Sequence, residues 1–263
     1  MDHYPRKRFG QHFLHDPTVI RRILVVVDPR PDECLVEIGP GRGAITTGLL
    51  RAAGNLDVVE LDRDLIAPLT HRCAGLGRLT VHQADALDFE LCRLYPNRRL
   101  RLVGNLPYNL STPLLFRFLE QADCIRDMHL MLQKEVVARI TAGPGSKVYG
   151  RLSVMVQVYC QVESLFHIGP GAFTPAPRVH SGFLRLIPHH SRPFPVQDPA
   201  FLACLVAQAF AQRRKTLRNS LHGLIDARRL QALGLDPGQR AEALSVGDFV
   251  ALANAACKIP VLP

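Results

Sequence analysis

Short apolar runs alternate with amphipathic segments through the first half of the chain. The apolar runs predict strands, and the segments between them, with apolar residues three and four positions apart, predict helices. The runs lie at residues 34–38, 56–60, 79–82, 100–103 and 128–132, and the clearest helical segments lie at 44–53 and 64–72. Regular alternation implies right-handed βαβ units, so we expect a parallel sheet with helices on both faces.

The pattern changes beyond residue 150. The runs 152–162 and 182–187 are strand-like without a long helix between them, which predicts an antiparallel edge to the sheet. The segment 187–199 carries four prolines and is the best linker candidate. Further helices are predicted at 200–211, 215–224, 227–233 and 246–256. We therefore expect an α/β domain over residues 1–190 and a small all-α domain over residues 191–263.

Composition narrows the class of protein. Hydrophobic residues make up 47% of the 263 residues, which is typical of a globular chain and excludes a disordered or fibrous one. Lysine and arginine exceed aspartate and glutamate by 32 to 23, and the resulting charge of +9 indicates a polyanionic partner such as nucleic acid or an anionic membrane surface. Charge alone does not choose between these partners, because many basic proteins bind no nucleic acid specifically.

Membrane insertion and export are not expected. No apolar run approaches the ~20 residues that span a bilayer, and the basic N-terminal segment is not followed by the apolar stretch of a secretory signal. The seven cysteines are scattered and never spaced C-x-x-C, so we expect reduced, mostly buried thiols with neither disulfides nor zinc. The histidines show no metal-ligand spacing either. These features predict a cytoplasmic protein without a metal site.

A glycine-rich turn directly follows the first strand of the predicted sheet. It reads Val-Glu-Ile-Gly-Pro-Gly-Arg-Gly, and its Gly39 and Gly41 let the backbone turn tightly and approach a ligand. Glu60 closes the second strand about 20 residues later, where a carboxylate can accept hydrogen bonds from two ribose hydroxyls. Asp85 follows the third strand and is placed for an adenine amino group. Glu37 adds an acidic group suited to a positively charged end of the ligand.

The spacing within this turn bears on the choice of cofactor. The turn reads G-x-G-x-G, which departs from the G-x-G-x-x-G fingerprint of dinucleotide-binding proteins. We therefore favour S-adenosylmethionine over a nicotinamide dinucleotide. The glycines alone would also fit a dehydrogenase, or a turn with a purely structural role.

The segment Asn105-Leu106-Pro107-Tyr108 follows the fourth predicted strand, at the edge where open α/β sheets bind ligands. An exocyclic amine is a poor nucleophile because its lone pair is delocalised into the ring. The side-chain carbonyl of Asn105 and the backbone carbonyl of Leu106 can accept its two N–H groups and favour the tetrahedral geometry needed for methyl transfer. Pro107 stiffens the loop and Tyr108 can stack on a base. The alternative is an ordinary Asn-Pro turn that has no catalytic role.

Basic residues cluster near position 215. Arg213, Arg214, Lys215 and Arg218 fall on a predicted helix, and the last three share a face. A solvated helix face is the plain interpretation. Further basic residues flank the expected active-site edge, namely Arg6, Lys7, Arg8, Arg42 and Arg178. We therefore predict a groove that binds RNA phosphates.

Together these motifs resemble the ribosomal RNA adenine dimethyltransferases, and the resemblance covers nearly the whole chain. Residues 7–14, Lys-Arg-Phe-Gly-Gln-His-Phe-Leu, are similar to the opening motif of the family, which usually has asparagine where this chain has His12. Residues 173–179 resemble a second family motif, in which Phe173 would face the target adenine opposite Tyr108. The resemblance implies a catalytic set of Asn105, Leu106, Pro107, Tyr108 and Phe173 and a cofactor set of His12, Leu14, Gly39, Gly41, Glu60, Asp85 and Asn105.

The same resemblance implies a fold and a reaction. We expect a Rossmann-like S-adenosylmethionine-dependent methyltransferase domain, with a mostly parallel sheet, followed by a small all-α domain, in a cytoplasmic monomer. Its substrate would be 16S ribosomal RNA within the small (30S) ribosomal subunit or its precursor. There it would convert two adjacent adenines near the 3′ end to N6,N6-dimethyladenine and take part in ribosome biogenesis. Because one site would act repeatedly, it must admit a monomethylated amine.

Two other functions stay open. One is a related methyltransferase that modifies large-subunit RNA and confers macrolide resistance, or one that methylates adenine in DNA. The other is an assembly or transcription factor that keeps the fold and binds RNA without turnover. The intact segment from Asn105 to Tyr108 argues against a loss of activity.

Overall fold

A computed structural model describes residues 11–191 and 193–257. Its strands are β1 (Phe13–Leu14), β2 (Cys34–Ile38), β3 (Asn55–Glu60), β4 (Arg78–Gln83), β5 (Leu100–Asn105), β6 (Ile125–Gln133), β7 (Cys160–Ile168), β8 (Phe173–Thr174) and β9 (Ser181–Pro188). Its α-helices are α1 (Pro17–Val27), α2 (Thr46–Ala53), α3 (Arg63–Cys73), α4 (Ser111–Glu120), α5 (Lys134–Ile140), α6 (Arg151–Gln157), α7 (Pro199–Ala211), α8 (Leu217–Ser220), α9 (Ala227–Ala232) and α10 (Val246–Ala256).

Strands from residues 34–188 build a seven-stranded sheet with the order β4-β3-β2-β5-β6-β9-β7. β2 pairs in parallel with β3 and β5, β3 with β4, and β5 with β6, whereas β9 runs antiparallel to β6. Every residue of β2 is buried, as expected for a central parallel strand covered on both faces. β1 and β8 form a separate antiparallel pair. The predicted fold class, a mostly parallel sheet with an antiparallel edge, is confirmed.

The register of the central strands brings three chain segments to one edge. Ile38 at the end of β2 lies opposite Val59 of β3 and Gly104 of β5. A Cβ on Gly104 would lie 3.0 Å from the Ile38 carbonyl oxygen, so the close approach of these strands favours glycine. The glycine-rich turn, Glu60 and Asn105 therefore leave the sheet side by side.

Local signals set several helix ends. Asp16 caps α1 by accepting hydrogen bonds from two backbone amides at 2.8 and 3.2 Å, and Pro17 occupies the first helical position. Ser245 caps α10 in a capping box with Asp248. The last two predicted helices are confirmed as α9 and α10. Within the described ranges, no helix has the length and apolar character needed to cross a bilayer.

The strand predicted at 152–162 is wrong in its first half. Residues Arg151–Gln157 form α6, and β7 starts only at Cys160. Ser153 fixes the start of the helix, because its hydroxyl oxygen accepts a hydrogen bond from the Gly150 amide at 3.1 Å. Four consecutive residues of α6 are buried. A continuous apolar run of this kind has no periodicity that separates a buried helix from a strand.

The described residues divide into two compact units. The first contains those up to Val137 together with Val162–Pro188, and the second contains Ala138–Gln161 and those from His189 onward. The single boundary predicted at residue 190 therefore misplaces the segment that carries α6. α6 packs against α7 and α10. Helices distant in sequence thus share one unit, which local composition does not reveal.

The helix predicted at 215–224 is much shorter in the structure. Turns follow α7, and α8 spans four residues from Leu217. Thr216 is extended and forms a β-bridge with Arg240, while the Leu217 amide donates to the Gln239 carbonyl at 2.8 Å. The basic cluster near residue 215 consequently lies largely on turns, because tertiary pairing replaces the helical hydrogen bonds.

The expectation that no disulfide forms is wrong. Cys92 and Cys124 are bonded, although 32 positions separate them in the sequence. Gln121 holds the two segments together, since its Oε1 accepts a hydrogen bond from the Leu91 amide at 2.7 Å and its Nε2 donates to the Phe89 carbonyl at 3.1 Å. The buried free thiols, which agree with the prediction, are Cys34, Cys73 and Cys160.

Candidate active site

A cavity opens at the carboxyl edge of the sheet, beside the ends of β2, β3 and β5. Most of the residues predicted to bind cofactor or substrate line it, from positions as far apart as His12 and Tyr108. They are His12, Leu14, Gly39, Gly41, Glu60, Asp85, Asn105, Leu106, Pro107 and Tyr108. Gln11, Glu37 and Asp62 line the same cavity. The structure thus brings the glycine-rich turn, the acidic residues and the Asn-Leu-Pro-Tyr segment into one site.

The glycine-rich turn is fixed against β3 and β1. Gly39 and Gly41 have φ values of +64° and +56°, in the left-handed region that favours glycine. The Gly39 amide donates to the Val59 carbonyl at 2.9 Å. A Cβ on Gly41 would lie 3.1 Å from the Phe13 ring. A side chain at Gly41 would therefore strain the backbone and displace that ring.

Glu60 lies at the end of β3 with 6% of its surface exposed. Its Oε2 accepts a hydrogen bond from the Gly41 amide at 3.1 Å, and its Oε1 accepts one from the Asp62 amide at 2.8 Å. Burial raises the pKa of this carboxyl, and the two amides oppose that shift. Because a carboxylate has about four acceptor positions, Glu60 keeps acceptors for a pair of hydroxyl groups in the cavity.

Asp85 lies in the loop after β4 and lines the same cavity. Its Oδ1 accepts a hydrogen bond from the Leu87 amide at 2.9 Å. The Ala84 amide donates to the Glu60 carbonyl at 3.2 Å, which fixes this loop beside the end of β3. Two separate carboxylates are what a nucleoside requires, one for the sugar hydroxyls and one for an amino group on the base.

Glu37 is a buried carboxyl in the wall of the cavity, with 2% of its surface exposed. Its Oε2 has no hydrogen-bond partner among the described residues. Burial raises its pKa to about 8. This carboxyl is therefore mostly neutral near pH 7, and a positively charged group beside it would favour the carboxylate. A buried polar oxygen without a partner costs free energy. This oxygen therefore indicates that a donor or a positively charged group belongs in the cavity beside it.

Asn105 ends β5, and the chain just before β1 orients its side chain. Its Nδ2 donates to the His12 carbonyl at 3.1 Å. Only the nitrogen end of a side-chain amide can donate, so this bond distinguishes Nδ2 from Oδ1 and leaves Oδ1 as an acceptor. The Leu106 amide donates to the Met131 carbonyl at 3.2 Å, which fixes the next peptide. The groups that this segment still offers are therefore mainly carbonyl oxygens.

Tyr108 is held at both its hydroxyl and its ring. Its hydroxyl lies 2.6 Å from the Ser181 Oγ, and its ring stacks on the His12 ring with centroids 5.5 Å apart and planes 27° apart. The His12 Nδ1 lies 2.7 Å from the Pro175 carbonyl, which fixes that ring in turn. Burial raises the pKa of the Tyr108 hydroxyl, which favours its neutral form. One face of Tyr108 is thus covered, so a base can stack only on the other.

Sequence reasoning missed Ser181 and Asp62. Asp62 caps α3 by accepting a hydrogen bond from the Asp64 amide at 3.3 Å and accepts another from Gln11 Nε2 at 3.1 Å. An acidic residue directly before a helical segment is the signal that marks such a cap. No local signal marks Ser181, because the pairing of β9 with β6 decides its position near Tyr108.

The side chain of Phe173 does not line this cavity. It lies in β8 opposite Leu14 of β1, with 3% of its surface exposed, and it belongs to the hydrophobic core. The described residues that line the cavity do not include it. Because its side chain is packed in the core, the structure gives the implied base-stacking role of Phe173 no geometric support.

The predicted RNA-binding residues occupy different settings. Arg6, Lys7 and Arg8 lie outside the described residues. Arg178, Arg214, Lys215 and Arg218 are exposed. Arg213 instead pairs with Glu242 at 3.2 Å and donates to the Lys147 carbonyl at 2.8 Å. Arg213 therefore contributes to the packing of the second unit, and its charge is partly compensated.

The fold and the site together define a class, the S-adenosylmethionine-dependent methyltransferases. Similar solved structures share the fold. A dimethyladenosine transferase from Plasmodium falciparum has a TM-score of 0.80 at 24% identity, with 92% of this chain and 96% of that chain covered. The 23S rRNA methyltransferase ErmE has a TM-score of 0.75 at 25% identity, with 94% of this chain and 100% of that chain covered.

Within this class the sequence itself defines the family. Residues 3–258 match the family described as ribosomal RNA adenine dimethylase, and the chain belongs to that family. Two curated relatives named ribosomal RNA small subunit methyltransferase A are similar over nearly their whole length. The relative from Pseudomonas putida is 53% identical over 253 residues, covering 96% of this chain and 95% of that protein. The relative from Methylococcus capsulatus is 54% identical over 254 residues, covering 97% of this chain and 98% of that protein.

The residues of the cavity fit the cofactor of this class. S-adenosylmethionine, when bound, supplies a methyl group on a positively charged sulfur. Glu60 and Asp85 offer acceptors for its nucleoside, and the unpartnered Oε2 of Glu37 suits a positive charge. In residues 11–191 and 193–257, no group of histidine, cysteine and acidic side chains has the arrangement of a metal site.

The first prediction concerns Glu60. Glu60→Ala removes the proposed ribose acceptor, and we expect cofactor binding to weaken by roughly 1–3 kcal/mol, the cost of losing hydrogen bonds to a buried charged group. Titration calorimetry with S-adenosylmethionine measures this change. Glu163→Ala, at an exposed position on β7, is the matched control and should bind as the wild type does. Equal affinities in the two variants would contradict the role of Glu60.

The second prediction concerns the hydroxyl pair of Tyr108 and Ser181. Tyr108→Phe and Ser181→Ala each remove one side of the bond, and we expect each to lower kcat/KM for ribosomal RNA about two- to tenfold, the range of a single hydrogen bond. Cofactor affinity should not change. The double variant should be no worse than either single variant, because both lose the same interaction. Additive losses would show that the two hydroxyls act independently.

Proposed function

We propose that this protein transfers methyl groups from S-adenosylmethionine to N6 of two adjacent adenines near the 3′ end of 16S ribosomal RNA. The observation that carries the proposal is the hydrogen bond from Asn105 Nδ2 to the His12 carbonyl, which reserves Oδ1 for an amine. The high identity with relatives named for the small ribosomal subunit supports this choice of RNA.

The residues that line the cavity support the predicted set of cofactor-binding residues. Gly39 and Gly41 give the ligand close access to the backbone, Glu60 accepts from the ribose hydroxyls, and Asp85 accepts from the adenine amino group. Glu37 would hold the positively charged end of the cofactor. His12 and Leu14 close the cavity from the side of β1, which supports their place in the cofactor set.

The chemistry rests on geometry and not on a strong base. Asn105 Oδ1 and the Leu106 carbonyl accept the two N–H groups of the target amine, which draws its nitrogen toward tetrahedral geometry and frees the lone pair. With the cofactor bound, the oriented nitrogen would accept the methyl group as its bond to sulfur breaks, and the proton lost from nitrogen would pass to water. Preorganised acceptors and in-line orientation supply the rate enhancement.

The second methylation uses the same residues. A monomethylated amine retains one N–H, so one of the two acceptors is enough to orient it. Tyr108 presents one free ring face for the flipped base, and the Ser181 hydroxyl and the His12 ring fix the plane of that face. Stacking of this kind needs no contact from Phe173.

The small ribosomal subunit or its precursor is the proposed partner, and ribosome biogenesis is the proposed setting. We infer that the protein acts as a monomer in the cytoplasm, where such particles are assembled. Exposed basic residues on both units support an RNA partner, since each phosphate contact releases counterions.

Labelled methyl transfer tests the proposal directly. Small-subunit particles that lack the modification, large-subunit particles and duplex DNA serve as acceptors, followed by nucleoside analysis. We expect N6,N6-dimethyladenine in the small-subunit RNA alone. Asn105→Ala should keep cofactor affinity within a few-fold and sharply reduce turnover, while Asn55→Ala, at the opposite edge of the sheet, should match the wild type. Label in large-subunit RNA or DNA, or full turnover by Asn105→Ala, contradicts the proposal.

Another prediction concerns the exposed basic cluster. Replacing Arg214, Lys215 and Arg218 together with glutamine should weaken binding to small-subunit RNA and reduce its salt dependence, because phosphate contacts are lost. The slope of log K against log salt should fall in magnitude by about two to three if all three contact phosphates. A control that replaces the exposed arginines Arg51, Arg99 and Arg228 removes the same charge. Equal slopes in the two triple variants would show that the cluster is a solvated surface that does not contact RNA phosphates.

A further inference from the structure

A second cavity, of about 270 Å³, is lined by both residues of β1. It shares Phe13, Leu14, Arg42 and Ala44 with the first cavity, so the two are direct neighbours at the same edge of the sheet. His15, Ile20 and Arg72, which also line it, belong to none of the sequence motifs. The shared residues lie on β1 and at the glycine-rich turn, so the second cavity adjoins the cofactor side of the active site.

The residues that line this cavity form an apolar group and a basic group. The apolar side chains of Leu14, Ile20 and Ala44 are buried or half-buried and form its inner wall. His15, Arg42 and Arg72 are exposed and form its rim. None of the described residues that line it carries a carboxylate. An apolar wall under a basic rim suits a nucleotide, with its base or sugar inside and its phosphate on the rim.

The two arginines are held in place by the protein. The Arg42 guanidinium lies over the Phe13 ring, 4.7 Å from its centroid. Arg72 Nη1 donates to the Arg42 carbonyl at 2.9 Å. Since a guanidinium carries five N–H donors in a planar fork, this bond orients Arg72 and leaves donors for a phosphate. Ordered arginines lose less conformational entropy when they bind an anion.

We infer that this basic cavity is a second nucleotide subsite, which holds a phosphate of the RNA strand that enters the neighbouring active site. The inference rests on the proposed function for the identity of the RNA. Flipping one adenine into the first cavity requires that the strand on either side be held. The second cavity holds that strand through its backbone, so it positions the RNA without reading its sequence.

Two variants test the subsite, and both leave the residues of the active site unchanged. Arg72→Gln removes one phosphate ligand, and His15→Glu places a negative charge at the rim. Arg99→Gln, an exposed arginine directly before β5 at the opposite edge of the sheet, is the matched control because it changes the net charge equally. The measurements are the Kd for small-subunit RNA as a function of salt, the KM and kcat for methyl transfer, and the Kd for S-adenosylmethionine.

We expect Arg72→Gln to raise the RNA Kd and KM about threefold or more, and to reduce the salt slope by about 0.7 to 0.9, which corresponds to one phosphate contact. His15→Glu should also raise the RNA Kd. Affinity for S-adenosylmethionine and kcat should stay at the wild-type values, and the Arg99→Gln control should be unchanged throughout.

Two outcomes overturn the subsite. One is an RNA affinity and salt slope in both variants equal to those of the control. The other is a loss of cofactor affinity in Arg72→Gln that accounts for its whole defect, since Arg72 would then act only by holding the glycine-rich turn. Failure of the proposed function is a separate result. It would show as the absence of wild-type turnover on small-subunit particles, and the RNA-binding measurements would still decide the subsite.

Discussion

The parallel register of β2 with its two neighbours is the constraint on which the site depends. Ile38 lies opposite both Val59 and Gly104, so three strands end together. Everything that follows those ends, including the glycine-rich turn, Glu60 and Asn105, is placed within one cavity. Because both faces of β2 are buried, any slip in register would force the tightly packed core on each face to repack.

The catalytic segment is oriented by chain regions far from it in sequence. The His12 carbonyl decides which end of the Asn105 amide is left as an acceptor. Ser181 decides the plane of the Tyr108 ring through one hydroxyl contact. A site that relies on the placement of acceptors needs such supports, because a small displacement of either carbonyl would weaken its hold on the amine. In the proposed function, β1 and β9 would therefore act by positioning the residues that hold the amine and the base.

Charge is divided between the inside and the outside of the site. Carboxylates line the cofactor cavity, where burial raises the pKa of Glu37 and Glu60 and where hydroxyl, amino and positively charged groups of the cofactor are expected. Arginine side chains occupy the rim and the surface, where phosphates approach. The Asn-Leu-Pro-Tyr segment between them is uncharged. In the proposed function, basic residues would attract the RNA and neutral dipoles would select and orient the base.

The sequence by itself determined the alternation of strands and helices between Cys34 and Leu132, the fold class and the residues of the cofactor turn. These features are local: apolar periodicity defines an element, and spacing from a strand end defines a position at the sheet edge. The segments from Cys34 to Glu60 and from Leu100 to Tyr108 were predictable for this reason. Because the chain matches the ribosomal RNA adenine dimethylase family, the sequence also indicates the reaction, the methylation of adenine.

Only the tertiary structure decided which distant residues meet. The buried helix over Arg151–Gln157, the Cys92–Cys124 bond, the short α8, the contact of Ser181 with Tyr108 and the burial of Phe173 all depend on partners far away in sequence. A local pattern records a residue's own preference for helix, strand or turn. It does not record the neighbour whose hydrogen bond or packing overrides that preference, because that neighbour is specified only once the chain has folded.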